Sequence, residues 1–89
     1  MIVREFVINN KSGLHARPAT LWVQTASQFQ SSIRLSKANR EVDGKSLLGI
    51  LSLGLSAGSS VQVTVDGPDE VAASSELAKL IAELAEKGE

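Results

Sequence analysis

Apolar residues recur along this chain with two different periods, and the order in which those periods alternate limits the fold more than any single residue does. Residues 2–8 alternate with Phe6 and Ile8 toward one side, which reads as a strand. The cluster Asn9-Asn10-Lys11-Ser12-Gly13 is rich in turn formers. From Ala16 the spacing changes, and Ala19, Trp22, Val23, Ala26 and Phe29 fall on one helical face until Ser31-Ser32 breaks it. Trp22 is expected in the core. Ile33 and Leu35 alternate with Arg34 and Ser36 as a second strand, and Ala38-Asn39 turns into a short third strand near residues 40–42, closed by Asp43-Gly44. Leu47, Ile50 and Leu51 give a short helix with Ser46 as its N-cap. A loop over residues 53–58 leads to a fourth strand over 61–65. Gly67-Pro68-Asp69 then opens a last helix whose buried stripe is Leu77, Leu80, Ile81 and Leu84.

The order βαββαβα, with every helix apolar on one side, predicts an α+β open-faced sandwich: a four-stranded antiparallel sheet covered on one side by three helices. At 89 residues, without linker or repeat, the chain is expected to be a single domain over 1–89 with one modest core. Ser46 to Val65 contains no charged residue and is long enough to span a bilayer. Half of it is Ser, Gly, Gln or Thr, however, and 61–65 alternates, so no membrane insertion is expected. The start, Met1-Ile2-Val3-Arg4-Glu5, lacks the pattern of a secretory signal, and a cytoplasmic location is expected. There is no cysteine, which excludes disulfide and thiolate chemistry.

Net charge is −1, so no bulk basic field is present to hold nucleic acid. The charge is unevenly divided: residues 1–45 carry seven Lys/Arg against three Asp/Glu, and residues 46–89 carry two against seven. An acidic C-terminal helix accounts for this, and so does a basic face that docks acidic proteins.

The segment most able to carry chemistry is Ser12-Gly13-Leu14-His15-Ala16-Arg17-Pro18-Ala19. His15, the only histidine, sits where the turn ends and a helix begins. Pro18 fits the first helical turn, where backbone N–H groups lack intrahelical partners. A helix start favours anions and disfavours an imidazolium, so it should help keep His15 neutral and nucleophilic. Arg17, two residues on, is near enough to contact phosphoryl oxygens. Neutral nucleophile, anion-ready helix end and guanidinium together describe a phosphohistidine site. A lone histidine at a helix start also reads as a plain surface or capping residue. No second histidine or cysteine exists for a triad or a metal site. Ser46 reads as a structural cap, although a phosphate there would face exposed N–H groups. Leu47, Leu48 and Leu51 follow closely, and a helix this short cannot bury every apolar group, which leaves a candidate docking patch.

Two segments carry a resemblance. Gly13-Leu14-His15-Ala16-Arg17-Pro18-Ala19 resembles the active-site signature of the histidine-containing phosphocarrier (HPr) family of the bacterial phosphoenolpyruvate-dependent sugar phosphotransferase system. Gly44-Lys45-Ser46-Leu47-Leu48-Gly49-Ile50-Leu51-Ser52-Leu53-Gly54 resembles the regulatory serine motif of the same family. Length and element order match as well, so the resemblance covers the whole chain. It implies a monomeric carrier, not an enzyme, working without cofactor or metal. His15 would be phosphorylated on Nδ1 by the system's first enzyme and steadied by Arg17, and would pass the group to sugar-specific A components. Ser46 would be modified by an ATP-dependent kinase and restored by its phosphorylase. The phosphoserine form would bind a catabolite-control regulator through Leu47, Leu48 and Leu51, positions that in Firmicute relatives often carry Ile and Met. Leucine keeps the bulk and loses methionine's adaptability, which weakens the expectation for that regulator. The alternatives are the nitrogen-branch carrier of the same family, a purely regulatory module acting through Ser46, and a structural domain without chemistry.

Overall fold

The computed structural model describes residues 1–9, 11 and 13–87. The elements follow in the order β1 (Ile2–Val7), α1 (Ala16–Ala26), β2 (Ser32–Lys37), β3 (Arg40–Asp43), α2 (Leu47–Ser52), β4 (Ser60–Asp66) and α3 (Glu70–Lys87). This is the predicted βαββαβα order, with most boundaries moved by a residue or two and the end of α1 by several. In the turn cluster after β1, Asn10 and Ser12 lie outside the described residues, as do Gly88 and Glu89.

All four strands pair antiparallel in the spatial order β1-β4-β2-β3. The last strand in sequence is therefore central, which its composition explains. Val61, Val63 and Val65 are buried on one face, while Gln62 on the other is exposed. Register carries this face across the sheet: Val61 lies opposite Phe6, and Val63 and Val65 lie opposite Leu35 and Ile33. A slip of one residue in any strand would turn its apolar set to water. The helices bring Ala19, Trp22 and Ala26 from α1, Ile50 from α2, and Ala73, Leu77, Ile81 and Leu84 from α3 into the same core.

Three details differ from the pattern. Phe29 does not end the helical stripe, because α1 stops at Ala26; the ring is nevertheless half-buried against the core from the turn that follows. Leu80 is also only half-buried, whereas Leu77, Ile81 and Leu84 are buried as expected and Ala73 joins them. The loop after α2 contributes Leu53 and Leu55 to the core, so it is fixed by packing despite having no regular structure.

The turns are specific. Ala38 and Asn39 both have positive φ, 50° and 68°, which makes the β2–β3 connection a two-residue mirror-image turn matched to strand twist. Asp69, just before α3, accepts from the backbone N–H of Gln30 and Ser31 and from the Ser31 hydroxyl, tying the α1–β2 connection to α3. The Ser31 hydroxyl first, and these N–H groups with it, hold the Asp69 carboxyl below its ordinary range. A depressed carboxyl stabilises the fold above its unfolded pKa, so this tie is complete at neutral pH and is lost only as pH falls through the lowered folded value.

Gly44 joins β3 to α2 in a space that admits nothing larger. Its N–H donates to Ile33 O at 2.6 Å, and its carbonyl accepts from the Trp22 indole at 3.0 Å. A Cβ there would lie 2.5 Å from Ile33 Cγ2 and 2.8 Å from Ile33 O. Gly44→Ala should therefore force a backbone shift and cost about 1–3 kcal/mol of stability, as overpacking typically does. Urea titration of the two proteins measures this.

Candidate functional site

His15 holds the junction between the β1–α1 loop and α1. Its backbone is extended (φ −88°, ψ −163°), and it is the N-cap of α1. Its side chain makes no cap hydrogen bond and is exposed. Among the described residues, donation within the helix begins with Ala19 N–H to His15 O at 2.9 Å, so Ala16, Arg17 and Pro18 precede that ladder. The ring is thus left to solvent at the positive end of an eleven-residue helix.

The Gly13-Leu14 segment that leads into His15 is tightly seated. Gly13 has a φ of +67°, and a Cβ there would overlap Leu55 O and lie 2.7 Å from Ser56 Cα. The next residue, Leu14, is buried and donates its N–H to Leu55 O at 2.8 Å. A glycine is required twice over, by its dihedral and by close approach. The backbone of Leu55-Ser56 is therefore the platform on which the His15 loop rests.

Arg17 is the second residue of α1 and is exposed. The first turn of this helix contains no acidic residue. A cation there is the wrong sign for the helix dipole, whose N-terminus favours anions by about 0.3–1 kcal/mol. An anion bound at the helix end would reverse the sign of that cost.

Ser46 caps α2 as expected. Its backbone is extended, and its Oγ accepts from Gly49 N–H at 3.1 Å. Ser46→Ala should cost about 1 kcal/mol, the usual worth of such a cap, observable as a lower melting temperature with the fold intact. Ile50 anchors this helix in the core, whereas Leu47, Leu48 and Leu51 are exposed, Leu48 at 80%. An apolar patch open to water beside a capped serine is the feature that the short-helix pattern predicts.

The family resemblance also implies that the starts of α1 and α2 lie close together on one face, with His15 and Ser46 sharing a docking surface with Leu47, Leu48 and Leu51; the hydrogen bonds hold the start of α2 elsewhere. The start of α2 is held near the middle and far end of α1, through Trp22 to Gly44 O and Lys45 Nζ to Phe29 O at 2.7 Å. The segment after α2 lies beside the start of α1, through Leu14 to Leu55. The start of α2, with Ser46, is thus tied toward the middle of α1 and not to the His15 end. The physical reason is the indole, whose polar edge draws the β3–α2 connection to the middle of α1. Arg17 and the three leucines lie on the two elements this contact joins.

Sequence reasoning misses two cations from the β2–β3 hairpin. Arg40 Nη1 donates to Ser52 O at 2.8 Å, and Lys37 Nζ donates to Gly54 O at 3.1 Å. Arg40 closes off the end of α2 and Lys37 holds the loop just past its cap, and nothing in the local sequence signals so distant a partner. Among the described residues no group of three or more His, Asp or Glu could hold a metal ion, and no helix is long and apolar enough to cross a membrane.

Comparison with known proteins yields concordant findings. The family described as PTS HPr component phosphorylation site matches residues 2–83. The phosphocarrier protein HPr of Cupriavidus necator is 42% identical over 89 residues, covering 100% of both chains. The crystal structure of HPr-C-His from Thermoanaerobacter tengcongensis superposes with a TM-score of 0.92 at 46% identity, covering 97% of each chain. A crystal structure of an HPr dimer from the same organism is 50% identical with a TM-score of 0.75, covering 88% of this chain and 90% of that one.

Proposed function

The chain belongs to the HPr family of phosphotransferase-system phosphocarriers, a carrier and not a catalyst, and from that premise we propose that His15 is its phosphoryl acceptor. The observation that carries this is the helix end itself. His15 occupies the N-cap without using its ring, and the following turn holds a cation where a carboxylate would be the stable choice. An imidazole nitrogen attacks the phosphorus of the phosphorylated first enzyme. A P–N bond forms as the bond to the donor breaks, and no water is consumed. The new phosphoryl group then lies at the positive end of α1 with Arg17 beside it, which offsets its charge without holding it too tightly to leave. A sugar-specific A component is the acceptor in the second half of the cycle.

One chain over residues 1–89 supplies His15 and Arg17 together, so the proposed working unit is a cytoplasmic monomer, although a related protein forms a dimer. Incubation with phosphoenolpyruvate and the first enzyme should add one phosphoryl group per chain, acid-labile and base-stable, mapped to His15 and carried by a species sedimenting as a monomer. A base-labile or substoichiometric product would remove the assignment.

Ser46 is proposed as a second, regulatory phosphorylation site, with Leu47, Leu48 and Leu51 as the surface read by partners, a catabolite-control regulator among them. The support is that these four residues share one short helix whose leucines face water. A phosphate adds about −1.5 to −2 charges at pH 7. At the start of α2 that charge suits the exposed N–H groups, so melting should be unchanged or slightly higher. Ser46 and His15 cap different helices, and the charge is proposed to act mainly on an incoming acidic partner. Phospho-Ser46 protein should accept phosphate from the first enzyme at least about tenfold more slowly, a loss equivalent to roughly 1.4 kcal/mol in the barrier. Raised salt should recover part of that loss. Initial rates for both forms at two salt concentrations decide it: equal rates leave Ser46 as a cap alone, and a salt-independent loss points to steric blockage.

A further inference from the structure

We propose that Lys37 and Arg40 of the β2–β3 hairpin are positioning residues for His15, acting by fixing the end of α2 and the Gly54-Leu55 backbone beneath the His15 loop. The proposal rests on His15 being the phosphoryl acceptor.

The two cations form a directly opposed cross-strand pair in the hairpin register, flanking the Ala38-Asn39 turn. Like charges so placed repel and weaken a hairpin. Here each ammonium or guanidinium turns to a backbone carbonyl across the fold. Arg40 spans Ser52 with Nη1 on the carbonyl at 2.8 Å and Nη2 on Oγ at 3.3 Å, and Lys37 takes Gly54 O at 3.1 Å. Ser52 Oγ in turn donates to Gly49 O at 2.6 Å. Ser52 O is a carbonyl at the helix end, which lacks an intrahelical partner and carries the negative pole of the dipole, so a cation is suited to hold it, while Gly54 O lies just past the cap. A helix of six residues is far too short to persist unaided, and its end needs outside support.

What these carbonyls position is the platform. Gly54 adopts a φ of +61°, and the next residue presents its carbonyl to Leu14 N–H, with Gly13 pressed against the same peptide. Beyond that peptide the loop is tied to the end of β1, through Gly58 N–H to Ile8 O at 2.7 Å and Ile8 N–H to Ser59 O at 2.8 Å. Lys37 and Arg40 hold it from the other side. A continuous path of hydrogen bonds and adjacent residues runs from Arg40 through Ser52, Leu53, Gly54, Leu55 and Leu14 to His15. If the platform loosens, Leu14 and the imidazole after it lose their fixed presentation.

The test is the double variant Lys37→Met, Arg40→Met, with Arg40→Gln as a milder single change. Two quantities are read: hydrogen exchange of the Leu14 amide, and kcat and KM for phosphorylation by the first enzyme. Exchange at Leu14 should rise about tenfold, in line with the loss of hydrogen bonds from charged donors, while amides of the central strands β2 and β4 keep their protection. The His15 ring resonances should broaden, and kcat should fall more than KM rises. The swap Lys37→Arg, Arg40→Lys retains both charges and should restore most of the Leu14 protection. Unchanged Leu14 exchange overturns the proposal. So does a loss confined to KM and reproduced by salt, which would mean the cations only attract the partner. General loss of protection in both the double and the single variant would show a merely structural role and also overturns it. A wild-type protein that accepts no phosphate would count against His15 as acceptor, a result separable from these because exchange at Leu14 is measured without any phosphotransfer.

Discussion

With His15 replaced by alanine, phosphoryl transfer from the first enzyme should disappear entirely while the protein melts close to the wild-type temperature. Both halves of this expectation follow from the same geometry. The imidazole is exposed and makes no cap hydrogen bond, so its removal opens no cavity and strands no buried partner. The one bond that His15 gives to the helix comes from its carbonyl, which accepts Ala19 N–H and which alanine retains. Surface changes of this kind usually move stability by less than about 0.5 kcal/mol. Chemistry, by contrast, has no substitute. His15 is the only histidine and the chain has no cysteine, so no second side chain of comparable nucleophilicity exists to take the group. Labelling with radioactive phosphoenolpyruvate, together with a thermal melt of the same sample, measures the pair of outcomes. Stoichiometric labelling of His15→Ala would sink the assignment, and a collapsed melt would show instead that the ring supports the loop.

The fold was legible because its patterns are local. Val61, Val63 and Val65 alternate without interruption, and this strand is the sheet's buried centre; Ala19, Trp22 and Ala26 keep helical spacing and all lie in the core. Ser46 announced α2 because capping is a relation between residues three apart, and the bond to Gly49 is that relation. The site was legible in its parts for the same reason: His15, Arg17 and Pro18 are neighbours in sequence. Its assembly was not. Nothing near Trp22 indicates that its indole will hold Gly44 O, which sets α2 with its end, not its start, toward His15. Lys37 and Arg40 read as ordinary hairpin cations until the fold brings Ser52 and Gly54 within reach. Gly13 read as a member of a turn cluster and of the His15 segment, while its dihedral and its contact with Leu55 depend on a segment more than forty residues away. Each of these relations needs the tertiary structure, because its two members share no local period or turn.

Arg17→Glu should separate stability from transfer more sharply than any other single change. The guanidinium stands in the first turn of α1, where no acidic residue balances the helix dipole. Glutamate in its place carries the sign that the dipole favours, by about 0.3–1 kcal/mol, which offsets the contacts given up by an exposed side chain. The melting temperature should therefore stay close to wild type. Transfer has the opposite sign. A phosphoryl group arriving at His15 would meet a carboxylate where a bidentate donor stood, and loss of one such preorganised contact costs roughly 2–4 kcal/mol in the barrier. At about 1.4 kcal/mol for each factor of ten, the rate should fall by roughly 30- to 1,000-fold. Arg17→Lys keeps the charge and loses the planar fork, so its rate should lie between the two. Initial rates with phosphorylated first enzyme, measured beside urea titrations of all three proteins, give the comparison. Transfer at the wild-type rate in Arg17→Glu would require the role to be withdrawn. A large fall in stability would instead make Arg17 a structural residue of α1, and the phosphoryl group would then be steadied by the helix end alone.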